Sequence, residues 1–218
     1  DHTITESVIC VDERMSYTGV KAILEGQEHP EGEREDIRAL CFLMKEAAAI
    51  LKEKRRKRGA IDFDFPESKI IVDDKGYPID IHPYERNVAT DIIEDFMLLA
   101  NETVAEDYFW QEIPFLYRTH ETPDSDKIKK LDTFIHNFGY YMKTGRENFH
   151  PKEIQKLLFS LEGEPEEPLI SRLALRSMKQ AKYTTLNVGH FGLSTQYYTH
   201  FTSPIRRYPD LQIHRIIK

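Results

Sequence analysis

Two stretches of this 218-residue chain carry apolar side chains at helical spacing for more than twenty residues each. In the first, from about Asp36 to Arg58, Ile37, Leu40, Met44, Ala47 and Leu51 recur every three or four residues, and Gly59 closes the run. In the second, from about Glu85 to Tyr108, Val88, Ile92, Phe96 and Leu99 do the same. Each pattern predicts a long helix with one apolar face. The first ends in the basic run KEKRRKR, Lys52 to Arg58. Cations suit the C-terminal end of a helix dipole, which is the plain reading, and a nucleic-acid contact is the secondary one.

The remaining elements are shorter. Thr3 to Val11 is rich in β-branched residues and reads as a strand. Ser16 to Leu24 reads as a short helix ending at Gly26, followed by an acidic loop from Glu25 to Glu35. Ala60 to Phe65 predicts a strand, in which Asp62 and Asp64 share one exposed face. Lys69–Val72 and Tyr77–Ile81 predict a hairpin across Asp73-Asp74-Lys75-Gly76. A strand is expected at Pro114–Arg118, and helices at Asp124–Phe138, Pro151–Leu161 and Pro168–Ala181. Tyr183 to Tyr197, rich in Gly and Thr, is expected to be irregular. The class is α+β, with helices packed on a mixed sheet, and residues 1–218 read as one domain.

A 40% hydrophobic content is enough for a sizeable core. No run of 18 or so apolar residues predicts a membrane span. The first residues have neither the basic nor the apolar region of a signal peptide, and no Met starts the chain, so it is expected to be processed or cut from something longer. Cys10 and Cys41 match no metal spacing and read as two buried thiols in a reducing cytosol. The net charge of −7 hides an asymmetry. From Leu169 onward eight basic residues face one acid, a net +7, which leaves −14 on the first 168 residues. A basic end on an acidic body is what a face that meets a polyanion needs. The plain alternative is a basic end that pairs with the acidic body.

The densest part of that basic end is YTHFTSPIRRYPDLQIHR, Tyr198 to Arg215. Ser203 suits an N-cap and Pro204 a first helical position. Arg206, Asp210 and His214 recur every four residues and would share a helix face. Pro209 must kink or restart that helix. Two guanidiniums beside a helix N-terminus read as a phosphate clamp. The plain reading pairs Arg206 with Asp210.

This stretch resembles the signature of the ribonuclease II (RNB) superfamily, and within it the bacterial ribonuclease R group. SVICVDERMSYTGV (Ser7–Val20), RGAIDFDFPE (Arg58–Glu67), IIEDFMLLAN (Ile92–Asn101), LRSMKQAKY (Leu175–Tyr183) and GHFGL (Gly189–Leu193) resemble further family blocks, in the family's order. The resemblance implies a processive 3′→5′ exoribonuclease that acts on the 3′ end of single-stranded RNA, releases nucleoside 5′-monophosphates and works in the cytoplasm. It implies two divalent ions, usually Mg²⁺, one activating water and one stabilising the leaving oxygen. By the resemblance, Arg206 is the donor that meets charge building on the phosphate, and Arg207 and Arg176 bind RNA. Tyr17 packs beside the terminal nucleotide and helps hold the scissile phosphate. Glu94 contacts the terminal ribose, where a 2′-OH distinguishes RNA from DNA. Phe63 clamps the stacked bases. On residues alone, Tyr17 and Phe63 read as core aromatics and Glu94 as a solvated acid.

The family's metal site is an aspartate cluster, approximately D-x(5)-D-x-D-D, and no such cluster occurs here. The chain is therefore expected to be the latter portion of an RNB-type catalytic domain, without the metal ligands and without the flanking cold-shock and S1 domains. Two rivals remain: a non-catalytic RNA-binding module, and a structural fragment whose basic end pairs with its acidic body.

Overall fold

The computed structural model describes residues 2–28, 34–62, 68–83, 86–144 and 149–218. The α+β class holds, and the strands pair in two small antiparallel ladders among the described residues. The chain divides into two compact units. One comprises Asp1–Glu6, Leu51–Asp62 and Phe96–Lys218, and the other Ser7–Ile50 and Phe63–Asp95. Helices α2 (Glu35–Arg58) and α3 (Val88–Trp110) contribute residues to both.

The first unit has two packed regions. Helices α4 (Ser125–Ile135) and α5 (Pro151–Leu161) both contact α6 (Glu167–Ser177). Their buried residues, among them Ile128, Leu131, Ile135, Ile154, Leu157, Leu161, Ile170 and Ala174, keep three- and four-residue spacing. Local signals set the ends. The Asp124 side chain accepts the Asp126 N–H and caps α4. Pro151 opens α5, where a missing N–H costs nothing. In the other region Val104, Ala105 and Tyr108 of α3 pack with Phe115, Tyr117 and Ile213, and the Tyr108 and Phe115 rings stack at 5.1 Å. Strand β3 (Tyr117–Thr119) pairs with β4 (Lys182–Thr184), aligning Arg118 with Tyr183. Ile213 comes from the last helix, α7 (Tyr208–Ile217).

In the second unit the Ser16 hydroxyl accepts the Gly19 N–H at 3.0 Å and caps α1 (Tyr17–Leu24), which buries Ala22, Ile23 and Leu24. Strands β1 (Ser68–Val72) and β2 (Pro78–Pro83) form the expected hairpin, with Ile70 opposite Ile81. The Asp73 carboxylate accepts the N–H groups of Lys75 and Tyr77, each at 2.9 Å, and Gly76 completes the turn at φ +83°.

Several expectations are corrected. Residues 3–11 form no strand: no described strand pairs with them, and Val8, Ile9 and Val11 are exposed. β-branched composition alone does not supply a neighbouring edge. Cys10 goes with that segment and is exposed, while Cys41 is buried. Ala60–Asp62 is not a strand, and the rest of that expected element lies outside the described residues. The strand expected at Pro114–Arg118 forms at Tyr117–Thr119, where pairing with β4 sets its limits. Leu40 and Leu99, expected inward, are half exposed. The helix expected to reach Ala181 stops at Ser177, before β4.

Candidate phosphate-binding site

The segment from Tyr198 to Arg207 is held in the first unit by buried polar side chains. Asn101 Oδ1 accepts the Phe201 N–H at 2.8 Å, and Asn101 Nδ2 donates to the Tyr198 hydroxyl at 3.3 Å. The Thr199 hydroxyl donates to the Leu116 carbonyl at 2.6 Å, and the Arg118 N–H donates to the Tyr198 carbonyl at 2.9 Å. Asn101 and Thr199 are 3% and 1% exposed, so each of these bonds is made away from water, where losing it is costly.

The two arginines that follow have different surroundings. The Ser203 carbonyl accepts the N–H groups of both Arg206 and Arg207, closing a tight turn. The Ser203 N–H donates to Asp210 Oδ1 at 2.8 Å, and Arg207 Nη2 donates to the same oxygen at 2.8 Å. Asp210 is completely buried. A buried carboxylate needs a charged partner, and Arg207 supplies it. The Arg206 side chain is exposed and makes no hydrogen bond or ion pair with the described residues. This corrects the Arg206–Asp210 pairing. It also corrects the helix start. The turn at 204–206 precedes α7, and Pro209 sits in the first turn of a helix that begins at Tyr208. A helix running on from Pro204 would have driven the Pro209 ring into the carbonyl of Ile205.

Around this turn lies a basic and aromatic surface. The Arg118 guanidinium sits 4.6 Å from the centre of the Tyr183 ring, and the Tyr183 hydroxyl is 2.6 Å from His200 Nδ1. Burial, and then the nearby Arg207, lower the His200 pKa to about 4, with Arg118 and Arg206 adding to the effect. The imidazole is therefore uncharged near neutrality. Next to this group, Glu121 holds Lys179 and Lys182, and their hydrogen bonds bring its carboxyl to about 2. Arg176, at the end of α6, is exposed and makes no hydrogen bond or ion pair with the described residues.

The GHFGL loop is locked to the end of α2. Arg58 donates to both oxygens of Glu102, at 2.9 and 2.6 Å, and to the Leu193 carbonyl at 3.1 Å. The Ser194 hydroxyl returns a bond to the Arg58 carbonyl at 3.0 Å. Gly192 donates its N–H to His120 Nδ1, and a Cβ on Gly192 would come within 3.1 Å of that nitrogen. Burial, first of all, lowers the His190 pKa to about 3.

The second unit carries Tyr17 and Glu94. Tyr17, the first residue of α1, is 48% exposed and lines a mostly apolar cleft of about 950 Å³ with Val20, Ile37, Cys41 and Ile92. Glu94 accepts from Arg86 Nη2 at 2.9 Å. Phe63 lies outside the described residues.

Comparison with known proteins decides the family. The RNB domain model matches residues 1–218. The chain belongs to the RNB family. Ribonuclease R of Aquifex aeolicus is 45% identical over 217 residues, covering 100% of this chain and 31% of the relative. Ribonuclease R 1 of Lactococcus lactis is 43% identical over 218 residues, covering 100% of this chain and 27% of the relative. Mycoplasma genitalium RNase R, solved in complex with ribose methylated single-stranded RNA, superposes with a TM-score of 0.87 at 30% identity. That match covers 94% of this chain and 32% of the other. The chain thus spans about a third of the length of these relatives. Yeast Ssd1, described as a pseudonuclease, shares the fold at 20% identity and a TM-score of 0.66.

Within the RNB frame, the blocks RGAID, LLAN, GHFGL and YTHFTSPIRR meet in the first unit through Arg58, Asn101, Leu193 and Phe201. Arg206, Arg207 and Arg176 lie in that unit, and Tyr17 and Glu94 in the other. Among the described residues no group of three or more His, Cys, Asp or Glu side chains could hold a metal ion, so none is assigned as a metal ligand. Also among them, no helix is long and apolar enough to cross a membrane. Sequence reading missed Asn101, Arg118 and Tyr183. Asn101 had a signal: it shares a buried helical face with Val104, Ala105 and Tyr108, and a polar residue in such a stripe must have partners. Arg118 and Tyr183 had none, because only the β3–β4 register brings them together.

Proposed function

We propose that this chain is part of the catalytic domain of a cytoplasmic 3′→5′ exoribonuclease that degrades single-stranded RNA processively to nucleoside 5′-monophosphates. The observation that carries the reading is the pair of adjacent arginines. One anchors a buried carboxylate, and the other is presented free on a basic turn within a family signature. In this reading Arg206 meets the charge that grows on the scissile phosphate. Arg207 holds the turn that aims Arg206, a scaffolding role in place of the phosphate contact expected from sequence. Arg176 adds sequence-independent attraction to the backbone. Tyr17 packs against the terminal nucleotide, Phe63 clamps the stacked bases, and Glu94 accepts from the terminal 2′-OH, for which it must exchange Arg86 or share it. Divalent ions, Mg²⁺ by family expectation, would supply activation of water and stabilisation of the leaving oxygen.

A second reading, a non-catalytic RNA-binding module, draws on the absence of a metal cluster among the described residues and on the shared fold of a protein described as a pseudonuclease. Labelled single-stranded RNA with Mg²⁺ separates the two readings when given to the intact protein that carries this chain. Release of 5′-monophosphates from the 3′ end supports the enzyme, and salt-sensitive binding without product supports the module. Glu94→Ala is expected to relax discrimination between RNA and DNA. Unchanged discrimination would refute the ribose contact.

A further inference from the structure

His200 lies three residues before the turn that presents Arg206, and its geometry is restrained. Its ring stands edge-on between Tyr198 and Tyr183, with centroids 5.6 Å from each and interplanar angles of 80° and 72°. Nδ1 is taken by the Tyr183 hydroxyl at 2.6 Å. Tyr183 is itself fixed by the Arg118 guanidinium over its ring. A cation over a phenol ring is attracted to the ring face, which helps hold the ring in place. The His200 Nε2 is neither buried without a partner nor bonded to any described residue. Three guanidiniums, those of Arg118, Arg206 and Arg207, act on this imidazole, with Asp210 the opposing acid. A cationic ring is disfavoured there, and when the Tyr183 O–H donates a hydrogen bond to Nδ1 the neutral ring carries its single N–H on Nε2.

We propose that His200 is a second phosphate donor, giving its Nε2–H to a backbone oxygen of the RNA beside Arg206, with Tyr183 as the positioning residue that fixes the donor on that nitrogen. This rests on the reading of Arg206 as a phosphate ligand. An uncharged donor fits a site that must release and re-engage a phosphate at every step. It adds direction at about half the strength of a cationic hydrogen bond and adds no further charge to a site that already holds one free guanidinium.

The test uses the intact protein, labelled single-stranded RNA, and melting temperature as a folding control. His200→Ala is expected to lower kcat/KM about tenfold, the size of one lost hydrogen bond. His200→Gln, whose amide N–H can reach the Nε2 position, is expected to recover most of that loss. His200→Asn, whose amide falls near Nδ1, is expected not to. Tyr183→Phe removes one hydroxyl from a partly exposed ring and keeps the fold. It is expected to lower kcat/KM severalfold and to raise the Nδ1-protonated tautomer of His200 in ¹⁵N NMR. Equal activity of the Gln and Asn variants, or a Tyr183→Phe variant with unchanged kcat/KM and tautomer, would overturn the proposal. Arg206→Ala run alongside separates the two readings. If it is inactive while His200→Ala is unaffected, only the present inference fails. If Arg206→Ala is fully active, the phosphate site itself is wrong.

Discussion

The two units present their candidate residues in opposite ways. In the first, the basic turn rests on Asn101, Thr199 and Asp210, which are 3%, 1% and 0% exposed. Asp210 Oδ1 takes both the Ser203 N–H and Arg207. Thr202 Oγ1, Arg207 Nε and Asp210 Oδ2 are buried without a hydrogen-bond partner among the described residues. The Arg206 side chain is exposed and makes no hydrogen bond or ion pair with those residues. In the second, Tyr17 stands half exposed at an apolar cleft, and Glu94 shares a surface ion pair with Arg86. The difference follows the chemistry proposed for each. Stabilising charge in a transition state requires donors that do not reorganise, and buried polar networks supply that rigidity. Packing against any of four bases requires tolerance, which a partly exposed ring supplies.

The largest test of this contrast is Asp210→Ala. It leaves Arg207 without its carboxylate and frees the Ser203 N–H, and is expected to cost about 3–5 kcal/mol of stability in denaturant melts. A loss under 1 kcal/mol would remove the claim of a rigid scaffold. Arg206→Ala is expected to slow turnover by roughly 10²–10³-fold while shifting stability by no more than about 0.5 kcal/mol. Asn101→Ala comes next, at about 1–3 kcal/mol for the buried groups it orphans. Acid should act on the first unit too. His190 and His200 titrate at about 3 and about 4 when folded, and near 6.5 when unfolded. Between pH 6.5 and pH 4 the unfolded chain binds more protons, so stability falls as pH falls through that window. The Glu121 carboxyl, held at about 2, adds its own loss only below its ordinary range. A melting temperature that is flat from pH 7 to pH 4 would contradict the burial of these imidazoles. The smallest effect belongs to the second unit. Arg86→Ala breaks exposed pairs with Glu94 and Asp91 and is expected to cost less than about 1 kcal/mol.

Local signals made much of the fold legible. Ser16 and Asp124 capped helices, Pro151 opened one, and Asp73 with Gly76 made the expected turn. The long helices were readable because their period repeats over six turns or so. Strands were not, since a strand exists only against a partner, and both the empty 3–11 segment and the displaced β3 show partner choice overriding composition. At the site, the motif gave the arginines and the charge asymmetry gave their polyanion. Which arginine was free could not be read from spacing. Four-residue spacing suggested Arg206 with Asp210, but Pro209 forces the helix to start late, and the three-residue pair with Arg207 forms instead.

The central claim is that Arg206 acts on the phosphate during chemistry rather than in holding RNA. The direct measurement is the single-turnover cleavage rate of Arg206→Ala in the intact protein at saturating single-stranded RNA. A rate reduced by about 10²–10³-fold, with RNA affinity little changed, is the expected result. A wild-type rate once RNA saturates would contradict it, because Arg206 would then be a binding residue only.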